Sequence, residues 1–398
     1  MLEAQRAGRL PSVSAAVFRG DELAWSEAVG LADVEQGVEA SPDTQYAVAS
    51  ITKTFTAVSV LQLRDAGKLD LEDPLSKHLP DATHGTLTLR RMLAHASGLQ
   101  REPPGEIWET LTFPGEEELL RGLEEAEQVL PPMAAWHYSN LAYALLGIVV
   151  ARIAGTSFRE HVQERLLSPL ELERTTWGPA ERAALPYFVE PYSDSVRREP
   201  VLELGGKGGE SGLYSTVGDL ARWGAFLCDP DEALLKPSSA AEMHDLNVMA
   251  DVNWTRGWGL GIELSRRGER VFGGHTGGFP GFLSILAYSR RDRIGAVVLT
   301  NAGNWPNLSP TGLELAEAAL EELAPEREPW RPEETPPAEI APLLGRWWSE
   351  GDDRFRVVSG RERGESLRVV RDEHGEVVKL YWATYPFTRT PEVFGPPS

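Results

Sequence analysis

Cysteine is almost absent from the sequence, since its 398 residues contain only Cys228. A single cysteine excludes an internal disulfide and a structural zinc site built on cysteines. Cys228 lies in the apolar stretch LARWGAFLC, which is typical of a small buried residue. The eight histidines show no HExxH or similar ligand spacing, so the sequence predicts neither a metal site nor a cofactor.

Basic residues are scarce relative to acidic ones. The chain has 39 lysines and arginines against 60 aspartates and glutamates, which gives a net charge of −21. A phosphate backbone or an anionic membrane surface is bound through basic patches, so neither nucleic acid nor such a membrane is an expected partner. The expected partner is a small-molecule or peptide substrate, and the oligomeric state is left open.

Long hydrophobic runs are missing as well. The longest, residues 141–151, ends before Arg152 and is too short to span a bilayer. The N-terminal stretch MLEAQRAGRLPS lacks the apolar core of a signal peptide. The sequence therefore predicts a cytoplasmic chain, or an exported one if a leader has been removed.

The spacing of apolar residues predicts a domain of mixed helices and strands over residues 1–325. Residues 12–29 alternate between apolar and polar and contain a turn at Gly20-Asp21, which predicts a β-hairpin. Helical patterns prevail between about 70 and 180. Further strands and a final helix are predicted at 258–264, 282–288, 294–300 and 311–323.

The composition changes after this domain. Residues 326–342 are rich in proline and glutamate, which predicts a linker. Residues 343–398 contain short β-type runs such as VVKLYW between charged turns, so they are predicted to form a small β module.

A serine and a lysine lie three residues apart at the start of a predicted helix, in AVASITKTFTAVSVLQLRDAG. Residues i and i+3 of a helix share a face, so Ser50 Oγ and Lys53 Nζ can meet. A serine hydroxyl becomes a good nucleophile when a base takes its proton. A helix N-terminus and burial both lower the pKa of a lysine and so favour its use as that base. Taken alone, the pair also fits a solvated surface lysine.

Two further segments carry polar residues that, together with Ser50 and Lys53, form a pattern of three motifs along the chain. Tyr138 and Asn140 precede an apolar helix in WHYSNLAYALLG, and His275-Thr276-Gly277 leads into a strand in FGGHTGGFPGFLS. Ser-x-x-Lys, Tyr-x-Asn and His-Thr-Gly in this order resemble the three motifs of the serine β-lactamases and penicillin-binding proteins. With tyrosine in the second motif, the chain is similar to the branch of class C β-lactamases, D-alanyl-D-alanine carboxypeptidases, D-aminopeptidases and β-lactamase-like carboxylesterases.

The resemblance covers roughly residues 1–325 and implies an α/β fold of the β-lactamase-like type. Such a fold has an antiparallel sheet flanked by helices, a mainly helical region at about 70–180, and an active site between them. A C-terminal lipocalin-like barrel occurs in related chains. About 55 residues are few for eight strands, so residues 343–398 are expected to form a partial barrel or an open sheet packed on the main domain.

The resemblance also implies roles for the first two motifs. Ser50 is the expected nucleophile and Lys53 its proton acceptor. Tyr138 is expected to share that task and to protonate the leaving group. Asn140 is expected to hydrogen-bond both Lys53 and the substrate amide.

For the third motif, the resemblance implies that His275 and Thr276 line the edge of the cleft, followed by Gly277. The backbone N–H of Gly278 is expected to form an oxyanion hole with the N–H of Ser50. Many β-lactamases have lysine where this chain has His275. Because histidine is only partly charged near neutral pH, the resemblance favours a β-lactam less than it otherwise would.

We therefore expect a metal-independent serine hydrolase that cleaves an amide or ester bond through a covalent acyl-enzyme on Ser50. A D-amino-acid peptide, a β-lactam and a carboxylic ester all remain open as the substrate. The alternative is a non-catalytic binding or scaffold protein that retains the fold. Outside the motifs, Arg256 is a candidate anchor for a substrate carboxylate, whereas His95 is expected to be a structural buried histidine.

Overall fold

The computed structural model describes residues 1–80, 82–201, 209–324, 354–356, 365–382 and 385–388. The chain divides into two compact units, Met1–Pro325 and Glu326–Ser398. The predicted linker at 326–342 lies outside the described residues.

The first unit contains both strands and helices. Its described strands are β1 (Ser12–Arg19), β2 (Glu22–Asp33), β3 (Val38–Glu39), β4 (Tyr46–Ala47), β5 (Thr176–Trp177), β6 (Tyr187–Val189), β7 (Val196–Arg198), β8 (Leu213–Ser215), β9 (Val248–Met249), β10 (Arg256–Trp258), β11 (Glu263–Arg267), β12 (Arg270–Phe279), β13 (Phe282–Ser289) and β14 (Ile294–Thr300). Its described α-helices are α1 (Leu2–Gly8), α2 (Thr52–Asp65), α3 (Leu75–His78), α4 (Leu89–Leu93), α5 (Ile107–Thr110), α6 (Glu116–Gly122), α7 (Asn140–Ala154), α8 (Phe158–Val162), α9 (Val217–Cys228), α10 (Pro237–Met243) and α11 (Leu308–Leu323). Short 3₁₀ helices span Ala49–Ile51 and Leu123–Glu125, and a π-helix spans Gln163–Leu167.

Nine strands form one sheet in the order β3-β2-β1-β14-β13-β12-β11-β10-β9, and every neighbouring pair is antiparallel. Strand β1 is buried on both faces because successive side chains point to opposite sides of a sheet. Val13, Ala15 and Val17 pack in the core cluster that includes residues of α11. Ala16 and Phe18 pack in the cluster that includes residues of α2, α7 and α9. The sheet therefore lies between two helical layers.

Most of the predicted strands are confirmed, but one is wrong. The predicted hairpin is formed by β1 and β2, β13 and β14 match the runs predicted at 282–288 and 294–300, and α11 begins slightly before the predicted residue 311. The run 258–264 is not one strand, because the chain reverses within it and β10 pairs antiparallel with β11. Gly261 in this turn has a φ of 76°, and a Cβ there would lie 2.4 Å from the Cβ of Ala57. The turn therefore packs directly on α2.

The region predicted to be mainly helical contains α3 to α8. Residues Leu141–Val150 of α7 are all buried, as expected of a helix that is apolar on every side. Among the described residues, no single helix combines the length and apolar character needed to cross a membrane. The pair Asn140–Ala154 and Phe158–Leu167, bent by 78°, meets that requirement only when taken together.

The second unit carries β structure at the C-terminal end of the chain, as the sequence predicts. Its described strands are β15 (Arg354–Arg356), β16 (Ser366–Arg371), β17 (Val377–Trp382) and β18 (Tyr385–Thr388). They pair antiparallel in chain order. The choice between a partial barrel and an open sheet for residues 343–398, and its packing on the main domain, remain predictions.

Candidate active site

The side chains of Ser50 and Lys53 meet, as their spacing predicts. Ser50 lies in the 3₁₀ turn that leads into α2, and Lys53 lies in the first turn of α2. Lys53 Nζ donates a hydrogen bond to Ser50 Oγ at 3.1 Å and a second one to the main-chain oxygen of Glu210 at 2.6 Å. Ala49, immediately before Ser50, has a φ of 46°. This left-handed conformation is unfavourable for a residue with a Cβ, and such strain clusters at functional sites.

Lys53 is fully buried, and burial is the main cause that lowers the pKa of its ammonium group to about 7. The carboxylates of Glu210 and Glu102 act in the opposite direction, whereas the guanidinium of Arg101 lowers the pKa further. A lysine with this pKa is neutral in a large share of molecules near pH 7. A neutral amine at hydrogen-bond distance from a hydroxyl can accept its proton.

Tyr138 brings the second motif to Ser50. Its side chain is hydrogen-bonded to the side chain of Ser50, and burial raises the pKa of its phenol above the ordinary value, so that the phenol keeps its proton at neutral pH. The ring of Tyr138 stacks on that of His95 with centroids 4.2 Å apart, and Lys53 Nζ lies 5.1 Å from the ring centroid of Tyr138. Tyr138 is therefore placed to exchange a proton with Ser50.

Asn140 has a different partner from the one implied by the resemblance. Its Nδ2 donates to Oε1 of Glu102 at 2.8 Å, and its backbone N–H donates to the main-chain oxygen of Arg101 at 2.7 Å. Lys53 Nζ donates instead to Ser50 Oγ and to the main-chain oxygen of Glu210. The bond to Glu102 uses the amide N–H of Asn140, for which a carboxylate is a strong acceptor.

The third motif approaches Ser50 through its backbone. It lies inside β12 rather than before a strand, and a Cβ on Gly277 would lie only 2.2 Å from the main-chain oxygen of Val48. Ser284 on β13 is the cross-strand partner of Gly277. Its hydroxyl donates a hydrogen bond to the same main-chain oxygen of Val48 at 2.9 Å. Gly277 must therefore lack a side chain for β12 to reach the 3₁₀ turn. Thr276 and Gly278 line the cleft together with Ser50.

His275 does not match its expected place at the edge of the cleft. The side chain is buried, and the residue is not among those that line the cleft. Burial is the main cause that lowers the pKa of its imidazole to about 3, and the positive charge of Lys53 acts in the same direction. Its Nδ1 donates to the main-chain oxygen of Thr276 at 2.5 Å. The imidazole is therefore neutral near pH 7 and offers no charge to a substrate carboxylate.

Ser50 and Tyr138 border a cleft with a volume of about 290 Å³. The cleft is rich in aromatic side chains, namely Trp108, Phe113, Trp136, Tyr138, Trp258 and Phe279. Its charged residues are Arg101, Glu102, Glu210 and Arg256. Arg256 Nε and Nη2 lie 2.8 and 2.7 Å from the same carboxylate oxygen of Glu263, so that the charge of Arg256 is largely offset.

Glu102, Glu210 and Arg101 are the residues that sequence reasoning missed. Glu102 and Arg101 lie in a proline-rich loop without a recognisable pattern. For Glu210, the sequence does offer a signal, which is the cluster of glycines beside it. The structure shows why glycine is needed there, since a Cβ on Gly209 would lie 2.1 Å from the main-chain oxygen of Tyr143. Such an approach brings this segment against the central helices. In the part of the chain that the structure describes, no group of three or more His, Cys, Asp or Glu side chains could hold a metal ion.

The fold and the cleft define a protein of the β-lactamase-like class with serine, lysine and tyrosine side chains in contact. The chain belongs to the beta-lactamase family, whose sequence profile matches residues 1–321. Residues 349–389 match a second profile, described as a domain of unknown function (DUF7586).

Known relatives agree with this family. Protein flp of Staphylococcus aureus (strain MW2) is 26% identical over 311 residues, which cover 74% of this chain and 60% of the relative. Beta-lactamase-like protein 2 of Dictyostelium discoideum is 29% identical over 307 residues, which cover 72% of this chain and 55% of the relative. The chain thus spans only a little over half the length of these curated relatives.

Solved structures share the fold. A D-stereospecific amidohydrolase from Streptomyces sp. has a TM-score of 0.68 and 27% identity, covering 79% of this chain and 96% of that one. A penicillin-binding protein from Bacillus halodurans has a TM-score of 0.69 and 22% identity, covering 81% of this chain and 98% of that one.

Proposed function

We propose that this protein is a serine hydrolase that cleaves an amide or ester bond through a covalent acyl-enzyme on Ser50. The observation that carries the proposal is the hydrogen bond of 3.1 Å between Ser50 Oγ and the Nζ of Lys53, a buried lysine whose pKa is about 7. Membership of the beta-lactamase family supports the same chemistry.

The proposed reaction begins with transfer of the Ser50 proton to neutral Lys53. The oxygen of Ser50 then attacks the substrate carbonyl, and the N–H groups of Ser50 and Gly278 bind the oxyanion. Tyr138 donates its proton to the leaving amine or alcohol, and the proton that Lys53 took from Ser50 then returns to Tyr138, which leaves Lys53 neutral again. Water then attacks the acyl-enzyme and releases the acid and free Ser50. None of these steps uses a metal.

Among the three substrate classes, we favour amides and short peptides of D-amino acids with a free ammonium group. Glu102 presents a carboxylate to the cleft, where its Oε1 accepts from Asn140 and lies 3.6 Å from Arg101 Nε, and six aromatic side chains offer an apolar surface for a substrate side chain. A β-lactam carboxylate would gain less, because His275 is neutral, Arg256 is paired with Glu263, and Arg101 lies beside Glu102 with its Nε 3.6 Å from Oε1. The likeness to a D-stereospecific amidohydrolase at 27% identity supports an amide substrate.

A substrate panel tests the reaction. Wild type and Ser50→Ala are assayed with p-nitrophenyl esters, nitrocefin and D-amino-acid anilides, with Ser238→Ala on the exposed side of α10 as the control. Ser50→Ala should lose hydrolysis of every substrate, whereas Ser238→Ala should retain it. Equal activity of Ser50→Ala and wild type would contradict the proposal. No turnover of any substrate by wild type would favour the non-catalytic binding protein.

A second experiment tests the role of Glu102. Each D-amino-acid anilide is compared with its N-acetyl form, which has no ammonium group. Loss of one charge-assisted hydrogen bond costs about 1.5–3 kcal/mol, so acetylation should lower kcat/KM by roughly 10- to 100-fold in wild type. Glu102→Gln should remove this preference, and Glu106→Gln, an exposed glutamate outside the cleft, should keep it. A preference that survives in Glu102→Gln would contradict the assignment.

A further inference from the structure

His95 contacts three consecutive residues, of which the first immediately precedes the second motif and the other two belong to it. Its main-chain oxygen accepts a hydrogen bond from the backbone N–H of His137 at 2.8 Å. Its ring nitrogen Nδ1 accepts from the backbone N–H of Ser139 at 3.1 Å. Between these two bonds, its ring stacks on the ring of Tyr138 with an angle of 28° between the planes. One residue thus fixes the chain on both sides of Tyr138 and the ring of Tyr138 itself.

The local conformation of His95 suits this arrangement. His95 has a φ of 53°, a left-handed conformation in which histidine, asparagine and aspartate are enriched. Its side chain is fully buried, and burial together with the charge of Lys53 lowers the pKa of its imidazole well below the ordinary value. The ring is therefore neutral. Because Nδ1 accepts a hydrogen bond, the proton is on Nε2.

The far side of this contact is also fixed. Ser139 caps α7 by accepting the N–H of Ala142, and its hydroxyl donates to the main-chain oxygen of Gln100. Tyr138 therefore lies between an anchored helix end and a buried imidazole, while its hydroxyl bonds to Ser50. His95 is not among the residues that line the cleft, so it acts through Tyr138 and has no direct contact with a substrate there.

We propose that His95 is a positioning residue that holds the hydroxyl of Tyr138 in place for proton exchange with Ser50. The inference rests on the proposed function, in which Tyr138 protonates the leaving group. It goes beyond the structural role expected from the sequence, because the loss of His95 should slow chemistry rather than weaken substrate binding.

Two substitutions separate the contacts of His95. His95→Phe keeps an aromatic ring against Tyr138 but leaves the N–H of Ser139 without its acceptor. His95→Asn keeps an acceptor and tolerates the left-handed φ, but it loses the ring stacking. A displacement of about 1 Å can cost about 100-fold in rate, so His95→Phe should lower kcat by that order with KM almost unchanged. His95→Asn should lower kcat by roughly tenfold, the scale of one lost aromatic stack.

A double-mutant cycle with Tyr138→Phe distinguishes positioning from general destabilisation. If His95 acts through the hydroxyl of Tyr138, either substitution of His95 should change kcat by less than about threefold once that hydroxyl is gone. His161→Phe is the matched control, because His161 is also buried but lies on α8 away from the cleft. It should lower the melting temperature without changing kcat.

Four outcomes would overturn the inference. If the His95 substitutions lower kcat equally in the wild-type and Tyr138→Phe backgrounds, His95 is merely structural. The same conclusion follows if they raise KM and leave kcat unchanged. Full activity of His95→Phe and His95→Asn beside an impaired Tyr138→Phe would refute the inference and leave the proposed function intact. Full activity of Tyr138→Phe would refute the role of Tyr138 in the proposed function, and the inference about His95 would fall with it.

Discussion

Lys53 and His275 are two buried basic side chains of the same site, yet their motifs contribute in different ways. Burial lowers both pKa values, that of Lys53 to about 7 and that of His275 to about 3. Lysine starts four units higher than histidine, and the carboxylates of Glu210 and Glu102 limit its fall. The same physical cause therefore leaves Lys53 able to exchange a proton at neutral pH and leaves His275 neutral. In the proposed mechanism, the first motif therefore contributes side-chain chemistry, whereas the third contributes its backbone.

The largest expected effect concerns the first motif. Ser50→Ala and Lys53→Ala should each lower kcat/KM by on the order of 10⁴- to 10⁶-fold, because both act in one proton transfer. For the same reason, the double variant should be scarcely worse than either single one. Steady-state kinetics on the best substrate of the panel measures this. Losses that multiply, or a Lys53→Ala variant near wild-type rate, would show that the two side chains do not act as a unit.

A smaller effect is expected from the backbone of the third motif. A Cβ on Gly277 would lie 2.2 Å from the oxygen of Val48, whereas one on Gly278 would lie 3.5 Å from Leu283. Gly277→Ala should therefore reduce the free energy of unfolding by about 1–3 kcal/mol, the usual cost of overpacking, and Gly278→Ala should not. Urea unfolding of both variants measures the difference. Equal stability of the two variants would refute the close approach of β12 to the 3₁₀ turn.

A shift in pH dependence is expected from Glu210. Only the neutral form of Lys53 can act as a base, so kcat/KM should rise with pH through an apparent pKa of about 7. The Glu210 carboxylate raises the pKa of Lys53, so Glu210→Gln should move this acid limb to lower pH. The backbone carbonyl that binds Lys53 is retained in this variant. A shift to higher pH, or none, would mean that the limb does not report Lys53.

The smallest expected effect is in His275. Its imidazole is already neutral across pH 5–8, because its pKa is about 3. His275→Asn should therefore leave the acid limb of kcat/KM where it is in wild type, whatever the level of kcat. The same pH series measures it, with Glu210→Gln as the variant that does move the limb. If the acid limb of kcat/KM shifts in His275→Asn, the imidazole of His275 must titrate in this pH range, and the contrast with Lys53 is lost.

The sequence predicted much of the fold and the residues around Ser50 because their signals are local. A spacing of three residues on a helix brings Ser50 and Lys53 together, and alternation of apolar residues gives β1, β13 and β14. The burial of His275 and the partner of Asn140 depend on contacts between distant segments, such as Glu102 with Asn140. No local pattern encodes them. The reversal between Trp258 and Glu263 differs, because its glycines lie in an apolar run that also fits a single strand.

The central claim is that Ser50 is the nucleophile and that Lys53, with a pKa of about 7, is its base. It is tested most directly by labelling with a fluorophosphonate, which phosphonylates activated serines, followed by mass spectrometry of the digested protein at several pH values. We expect the adduct on the peptide that contains Ser50, with a labelling rate that rises with pH through about 7 and is lost in Lys53→Ala. An adduct on another residue, or a rate that does not change between pH 6 and 8, would contradict the claim.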